Sequence, residues 1–213
     1  MAVIVPSWSA SISALRSSSE RSGGFIFTFE SSERTEAYAR EVAAAIDSAA
    51  PVREAFALGS AAVGGFDPAT SDLDLVVVVG EPLGESRREL LRVLRGLEST
   101  VRDLELVVYV DGAQPPDLEL NVNEGEERLD AETFWFVLDA ALAQEHAVPL
   151  LHGRAWSEFF EPVSAERTRD AMQASLDWAG RQPPENAFAR AHAARARHYL
   201  ERGEWISKKE AQT

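Results

Sequence analysis

The chain has 213 residues, enough for one mid-sized domain with an appendage, and its 45% hydrophobic and 26% charged residues are those of a globular protein. No apolar run reaches the roughly 18–20 residues that cross a bilayer, so a membrane partner is not expected. A net charge of −14 argues against a general nucleic-acid binder, and the lack of cysteine excludes disulfides, thiolate zinc sites and cysteine nucleophiles.

Residues 1–35 are Ser-rich, show no sustained periodicity and lack the basic start of a secretory signal. They are expected to form a poorly ordered extension, with a short strand at Phe25–Phe29. Together with the missing cysteines this fits a cytoplasmic location. From Glu36 a helical pattern sets in, with Tyr38, Val42, Ala45, Ile46 and Ala49 on one face and Pro51 as its stop. Phe56-Ala-Leu reads as a short strand running into a turn at Gly59-Ser60. Leu73–Val79 is a strong β-branched strand closed by Gly80 and Pro82. Residues 85–98 follow as a helix with Leu90, Leu94 and Leu97 inward. Leu104–Val110 is a second strong strand, and Leu118–Val122 a weaker third. Asp130 can cap a helix to about Ala147 that buries Phe134, Leu138, Ala141 and Leu142.

Pro162 marks a module boundary. Beyond it, residues 165–179 and 186–202 read as two helices, the second carrying Phe188, His192, Arg195 and Tyr199 on one stripe. The charge changes at the same point. Residues 36–162 hold 25 acids against 9 bases, whereas 163–213 hold 7 acids against 9 bases, so an acidic body meets a slightly basic tail. The expected fold class is α+β, with a small mixed sheet flanked by helices over 36–162 and a helical module over 163–213.

The chemistry concentrates between residues 58 and 75. Eleven residues separate Gly59-Ser60 from Asp72-Leu-Asp-Leu, which opens the first strong strand. Alternation puts Asp72 and Asp74 on one face, about 6–7 Å apart, and Leu73 and Leu75 on the other. Two such carboxylates suit Mg²⁺, which takes a few carboxylates and leaves its other positions to phosphate oxygens and water. Gly59 lets the backbone approach a phosphate, and Ser60 and Ser71 can donate to one. Glu105, a charge inside the second apolar strand, is the candidate third carboxylate, either metal ligand or general base. The competing expectation puts it on an edge strand facing water. The constellation points to Mg²⁺-assisted attack of an acceptor hydroxyl on the α-phosphate of ATP.

These residues resemble the signature of the DNA-polymerase-β-type nucleotidyltransferases. The longer run resembles one branch, the aminoglycoside 3″-adenylyltransferases that modify streptomycin and spectinomycin. The shared stretches are Gly59-Ser-Ala-Ala-Val-Gly-Gly, Ser71-Asp-Leu-Asp-Leu, Leu104-Glu-Leu-Val-Val, Asn123-Glu-Gly-Glu, Glu145-His-Ala-Val and Phe159-Phe-Glu-Pro-Val, followed by Leu176-Asp-Trp, Asn186, Arg195, Gly203 and Lys208. The resemblance implies Mg²⁺ on Asp72 and Asp74, Glu105 as catalytic base, and the triphosphate along Gly59, Ser60 and Ser71. It also implies that Arg195 and Lys208 reach the phosphates from the helices, with Trp178 and Glu185 beside the acceptor. Two departures stand out: Glu127 occupies a family tryptophan position, and Arg181-Gln-Pro-Pro replaces most of the acids after Trp178. Family members also carry further helices, so a second copy pairing with the short module is one way to cover its open side.

Ten acids and one base lie between residues 103 and 132, a belt suited to a polycationic small-molecule acceptor. Two other activities fit the same residues: AMPylation of a protein partner, and nucleotide binding without turnover. The four histidines form no spacing expected of a metal site.

Overall fold

The computed structural model describes residues 33–63, 66–113, 116–122, 126–127 and 134–206. The expected strand at Phe25–Phe29, the cap Asp130 and the candidate Lys208 lie outside them. Helix α1 spans Glu33–Ala49, and the first strand, β1, spans Val52–Ala57, starting four residues before the expected one. The strong strands are β2, Asp72–Val79, and β3, Asp103–Val110, joined by α3, Ser86–Gly96. Then come β4, Leu118–Asn121, β5, Glu126–Glu127, and α4, Phe134–His146. Strand β6 is Val148–Pro149, and a 3₁₀ turn covers Trp156–Glu158. Helices α5, Ala165–Gly180, and α6, Ala187–Arg202, complete the described chain. The termini of the last two helices are encoded locally. Ser164 and Asn186 accept from Arg167 N and Ala189 N as N-caps, and Gly203 closes α6 at φ +71°.

The six strands form one mixed sheet in the order β5-β4-β3-β2-β1-β6. The parallel β2/β3 pair at its centre is crossed over by α3, whereas the other pairings are antiparallel. Both central strands are buried on both faces, which explains their near-continuous Leu/Val runs. Leu73, Leu75, Val77, Leu104, Leu106 and Val108 pack with Tyr38, Val42 and Ile46 of α1 and Leu90 and Leu94 of α3. On the opposite face Val76, Val78, Val107 and Tyr109 meet Phe56, Ala143, Trp156 and Phe160. Phe56 stands edge-on to Trp156 at 5.2 Å, and Tyr109 to Phe160 at 5.1 Å, contacts each worth about 0.5–1.5 kcal/mol beyond their buried area.

Helix α4 has two packing faces. Phe136 and Ala143 lie against the sheet, while Phe134, Trp135 and Leu138 share a third cluster with Met172, Trp178 and Ala189 of α5 and α6. The long apolar stretch of α4 is thus shared between sheet and helices. Glu54 ties down the next segment. This fully buried carboxylate of β1 accepts from the amides of Ala55, Leu151, His152 and Arg154 at 2.8–3.2 Å. One side chain therefore anchors the loop after β6 to the second sheet position from that edge.

Candidate active site

The sheet face toward α4 carries the polar residues. Asp72 and Asp74 head β2 and are 3% and 0% exposed, in a strand otherwise of Leu and Val. Isolated carboxylates at such depth cost several kcal/mol, so their surroundings decide their role. Gly59 supplies the closest surrounding. It does not sit in an open turn, as the sequence suggested, but opens a five-residue helix, α2, Gly59–Val63. Leu58 N donates to Asp74 O at 2.9 Å, fixing that helix against the strand. At φ +57°, a Cβ on Gly59 would fall 1.9 Å from Asp74 Oδ2. Glycine is therefore required here by a carboxylate as much as by any phosphate. Beside it, Ser60 is 1% exposed, and among the described residues its Oγ has no hydrogen-bond partner. A buried hydroxyl left so costs about 1–3 kcal/mol, which a bound phosphate oxygen would recover.

Glu105 lies directly beside Asp74 in the parallel register of β2 and β3, with backbones about 4.8 Å apart. It is 6% exposed on an interior strand, which corrects the edge-strand alternative. Ser71 precedes Asp72, and its Oγ accepts from Asp67 N at 3.2 Å, shaping the loop that leads into β2.

Several neighbours escaped the sequence reading as site residues. Glu119 and Asn121 of β4 are buried opposite Val107 and Glu105 and so extend the same polar face. Phe136 stacks edge-on against Tyr109 at 6.4 Å, and one helical turn later Asp139 faces the sheet. Burial raises the Asp139 pKa well above the usual carboxylate range, reinforced by Glu119 and then Glu105, while Arg195 opposes the shift. The Tyr109 pKa is raised by burial and by the charges of Asp139 and Glu119. Arg102, from the turn before β3, donates through one Nη to both oxygens of Asp72 at 2.5 and 2.7 Å. One signal was available in the sequence: Asp139 is the sole charge between Phe134 and Gln144.

The helical candidates divide. Arg195 is 7% exposed on α6 and faces this cluster; burial lowers its pKa to about 10, while Asp139 acts to raise it. Its Nε donates to Ile206 O at 3.0 Å, tying α6 to the segment that follows it. Trp178 is packed elsewhere. It is 4% exposed and stands edge-on to Trp135 at 5.3 Å, within a cluster that includes His192 and Phe188. Its ring has little surface left for an acceptor, because α4, α5 and α6 close around it. Glu185 is exposed in the turn before α6. The acidic belt is also divided: Glu105 and Glu119 point into the site, whereas Asp117 accepts from Leu83 N at 3.1 Å through its carboxylate and from Arg87 through its carbonyl.

Among the described residues no three His, Asp or Glu side chains form a ready-made metal cage. Mg²⁺ usually binds through one or two carboxylates and leaves its other positions to substrate phosphates and water. Asp72 and Asp74, beside the orphaned Ser60 hydroxyl, fit that mode.

No curated protein matches the sequence. Among solved structures the chain is similar to spectinomycin adenyltransferase AAD(9) from Enterococcus faecialis, determined with ATP and spectinomycin. The TM-score is 0.60 at 19% identity, over 80% of this chain and 79% of that one, and this likeness establishes the fold. The model of the nucleotidyltransferase domain family matches residues 39–128, which contain most of α1, the Gly59-Ser60 helix, both aspartates and Glu105. The matched segment is thus similar to a nucleotidyltransferase domain, and the three carboxylates lie on its central parallel strands.

Proposed function

We propose that this protein transfers AMP from ATP to a hydroxyl of a small cationic acceptor of the aminoglycoside kind, with streptomycin and spectinomycin as the first candidates. The observation that carries the reading is the contact of Gly59 with Asp74, with Glu105 in register beside it. Asp72 and Asp74 would hold Mg²⁺, which when bound neutralises charge on the triphosphate and on departing pyrophosphate. Ser60 Oγ and nearby amides take phosphate oxygens, with Ser71 at the loop entrance, and Arg195 adds a positive charge from α6. Lys208 is assigned the same role on the sequence resemblance. Glu105 accepts the acceptor's hydroxyl proton as that oxygen bonds to the α-phosphorus. The bond from this phosphorus to the bridging oxygen breaks in line, and pyrophosphate leaves with its electron pair.

The polar face supports a cationic acceptor. Glu119 adds a carboxylate beyond Glu105, in a region walled by Tyr109 and Phe136, where an ammonium group is favoured over a neutral one. The neighbour's bound spectinomycin supports the same acceptor class. Glu185, exposed in the turn before α6, is assigned to the acceptor on the sequence resemblance. A cytoplasmic site of action matches the ATP requirement. Mass spectrometry after incubation with Mg²⁺-ATP tests the proposal. One added AMP on the drug is expected, whereas AMP added only to protein would replace the acceptor assignment.

A further inference from the structure

We propose that Arg102 is a stand-in for the divalent cation at Asp72, so that metal without nucleotide binds weakly and metal and triphosphate enter together. The inference rests on the assignment of Asp72 as a metal ligand. It starts from the geometry of the pair. A single Nη of Arg102 donates to both Asp72 oxygens, at 2.5 and 2.7 Å, and so occupies the two atoms that a hard cation would use. Asp72 is 3% exposed, a depth at which a carboxylate needs a positive partner. Arg102 is 52% exposed, so its head can leave for solvent with little loss of packing.

The placement is built into the sheet. Asp103 pairs with Asp72 in the parallel ladder, and Arg102 is the residue before it, in the turn that delivers β3. A cation arriving at Asp72 must displace this guanidinium, and the two positive charges repel if both remain. The triphosphate relieves that conflict, because it offers Arg102 new acceptor oxygens as the metal takes the carboxylate. Loss of a charge-assisted hydrogen bond of this kind corresponds to roughly a ten- to hundredfold change in an equilibrium.

The test is Mn²⁺ binding to the nucleotide-free protein, read from the free-ion electron paramagnetic resonance signal. Arg102→Ala and Arg102→Met, the latter keeping the apolar stem, are both expected to bind Mn²⁺ about tenfold or more tightly than wild type. Circular dichroism verifies that each is folded, and the Met variant keeps the apolar stem in place. In the presence of ATP the gap between variant and wild type is expected to narrow. Equal or weaker Mn²⁺ binding by both variants without ATP would overturn the role of Arg102. Asp72→Asn in the Arg102→Met background tests the underlying assignment separately: if it leaves Mn²⁺ binding unchanged, Asp72 is not a ligand and the premise itself fails.

Discussion

Replacing Gly59 by alanine adds one methyl group at the centre of the proposed site. The new Cβ would lie 1.9 Å from Asp74 Oδ2 and 3.0 Å from Cγ, whereas ordinary contact begins at 3.4 Å. The carboxylate or α2 must therefore retreat by about 1.5 Å, and a 1 Å misplacement at a reacting centre costs on the order of 10²-fold in rate. The backbone adds its own cost, because φ +57° disfavours a side chain by about 1–2 kcal/mol. For a chain of this size that lowers Tm by roughly 2–8 °C. Gly112 separates the two effects. It has φ +75° and nothing within 4 Å of its would-be Cβ. Gly112→Ala is thus expected to lose similar stability and keep its turnover, while Gly59→Ala loses about 100-fold or more in pyrophosphate release. If Gly59→Ala turned over within about threefold of wild type, the contact with Asp74 would have no catalytic consequence.

Other outcomes follow from individual residues. Glu54→Ala strands the four amides that its carboxylate now satisfies, and thermal unfolding is expected to report a loss of about 3 kcal/mol or more. A loss below about 1 kcal/mol would mean that water replaces the carboxylate freely. Trp178→Ala should cost about 3–5 kcal/mol through the cavity left among Trp135, Phe188 and His192. Glu185→Ala should leave Tm unchanged and raise the acceptor KM; the opposite pattern in this pair would return Trp178 to the acceptor site. Asp139 has a raised pKa in the fold, so its contribution to stability is greatest below the unfolded value and is lost as pH rises through the folded one. Asp139→Asn removes that loss, and its Tm advantage over wild type is expected to grow from pH 4 to pH 8. A constant difference across that range would contradict the coupling.

The parts of the fold carried by periodicity were legible. The β-branched runs of β2 and β3, and the amphipathic spacing of α1, α3, α5 and α6, each correspond to an element within a few residues. Strands β5 and β6, two residues each, are too short to carry a period and exist only because an edge is there to pair with. The site divides in the same way. Asp72, Asp74 and Glu105 are strand residues whose facing follows from alternation once β2 and β3 pair in parallel. Glu119 alternates equally well, yet its burial depends on β4 lying beside β3 and on α4 closing the face above. Arg102 is a loop residue, and nothing local announces its bond to Asp72, thirty residues away. Trp178 shows the reverse case: family position suggests a ligand contact, while Trp135 and His192, from other helices, pack around its ring. Glycine at position 59 suits a phosphate on sequence grounds, and the tighter constraint on it is Asp74.

The central claim is nucleotidyl transfer through Asp74, and acceptor-dependent pyrophosphate release tests it most directly. Wild type and Asp74→Asn, a change that keeps the side-chain shape and removes the charge, are compared with Mg²⁺-ATP and either streptomycin or spectinomycin. Drug-stimulated release by wild type and a loss of about 10²–10³-fold in the variant are expected, the scale on which a single electrostatic contributor to such a site acts. Equal release by the two proteins would contradict it.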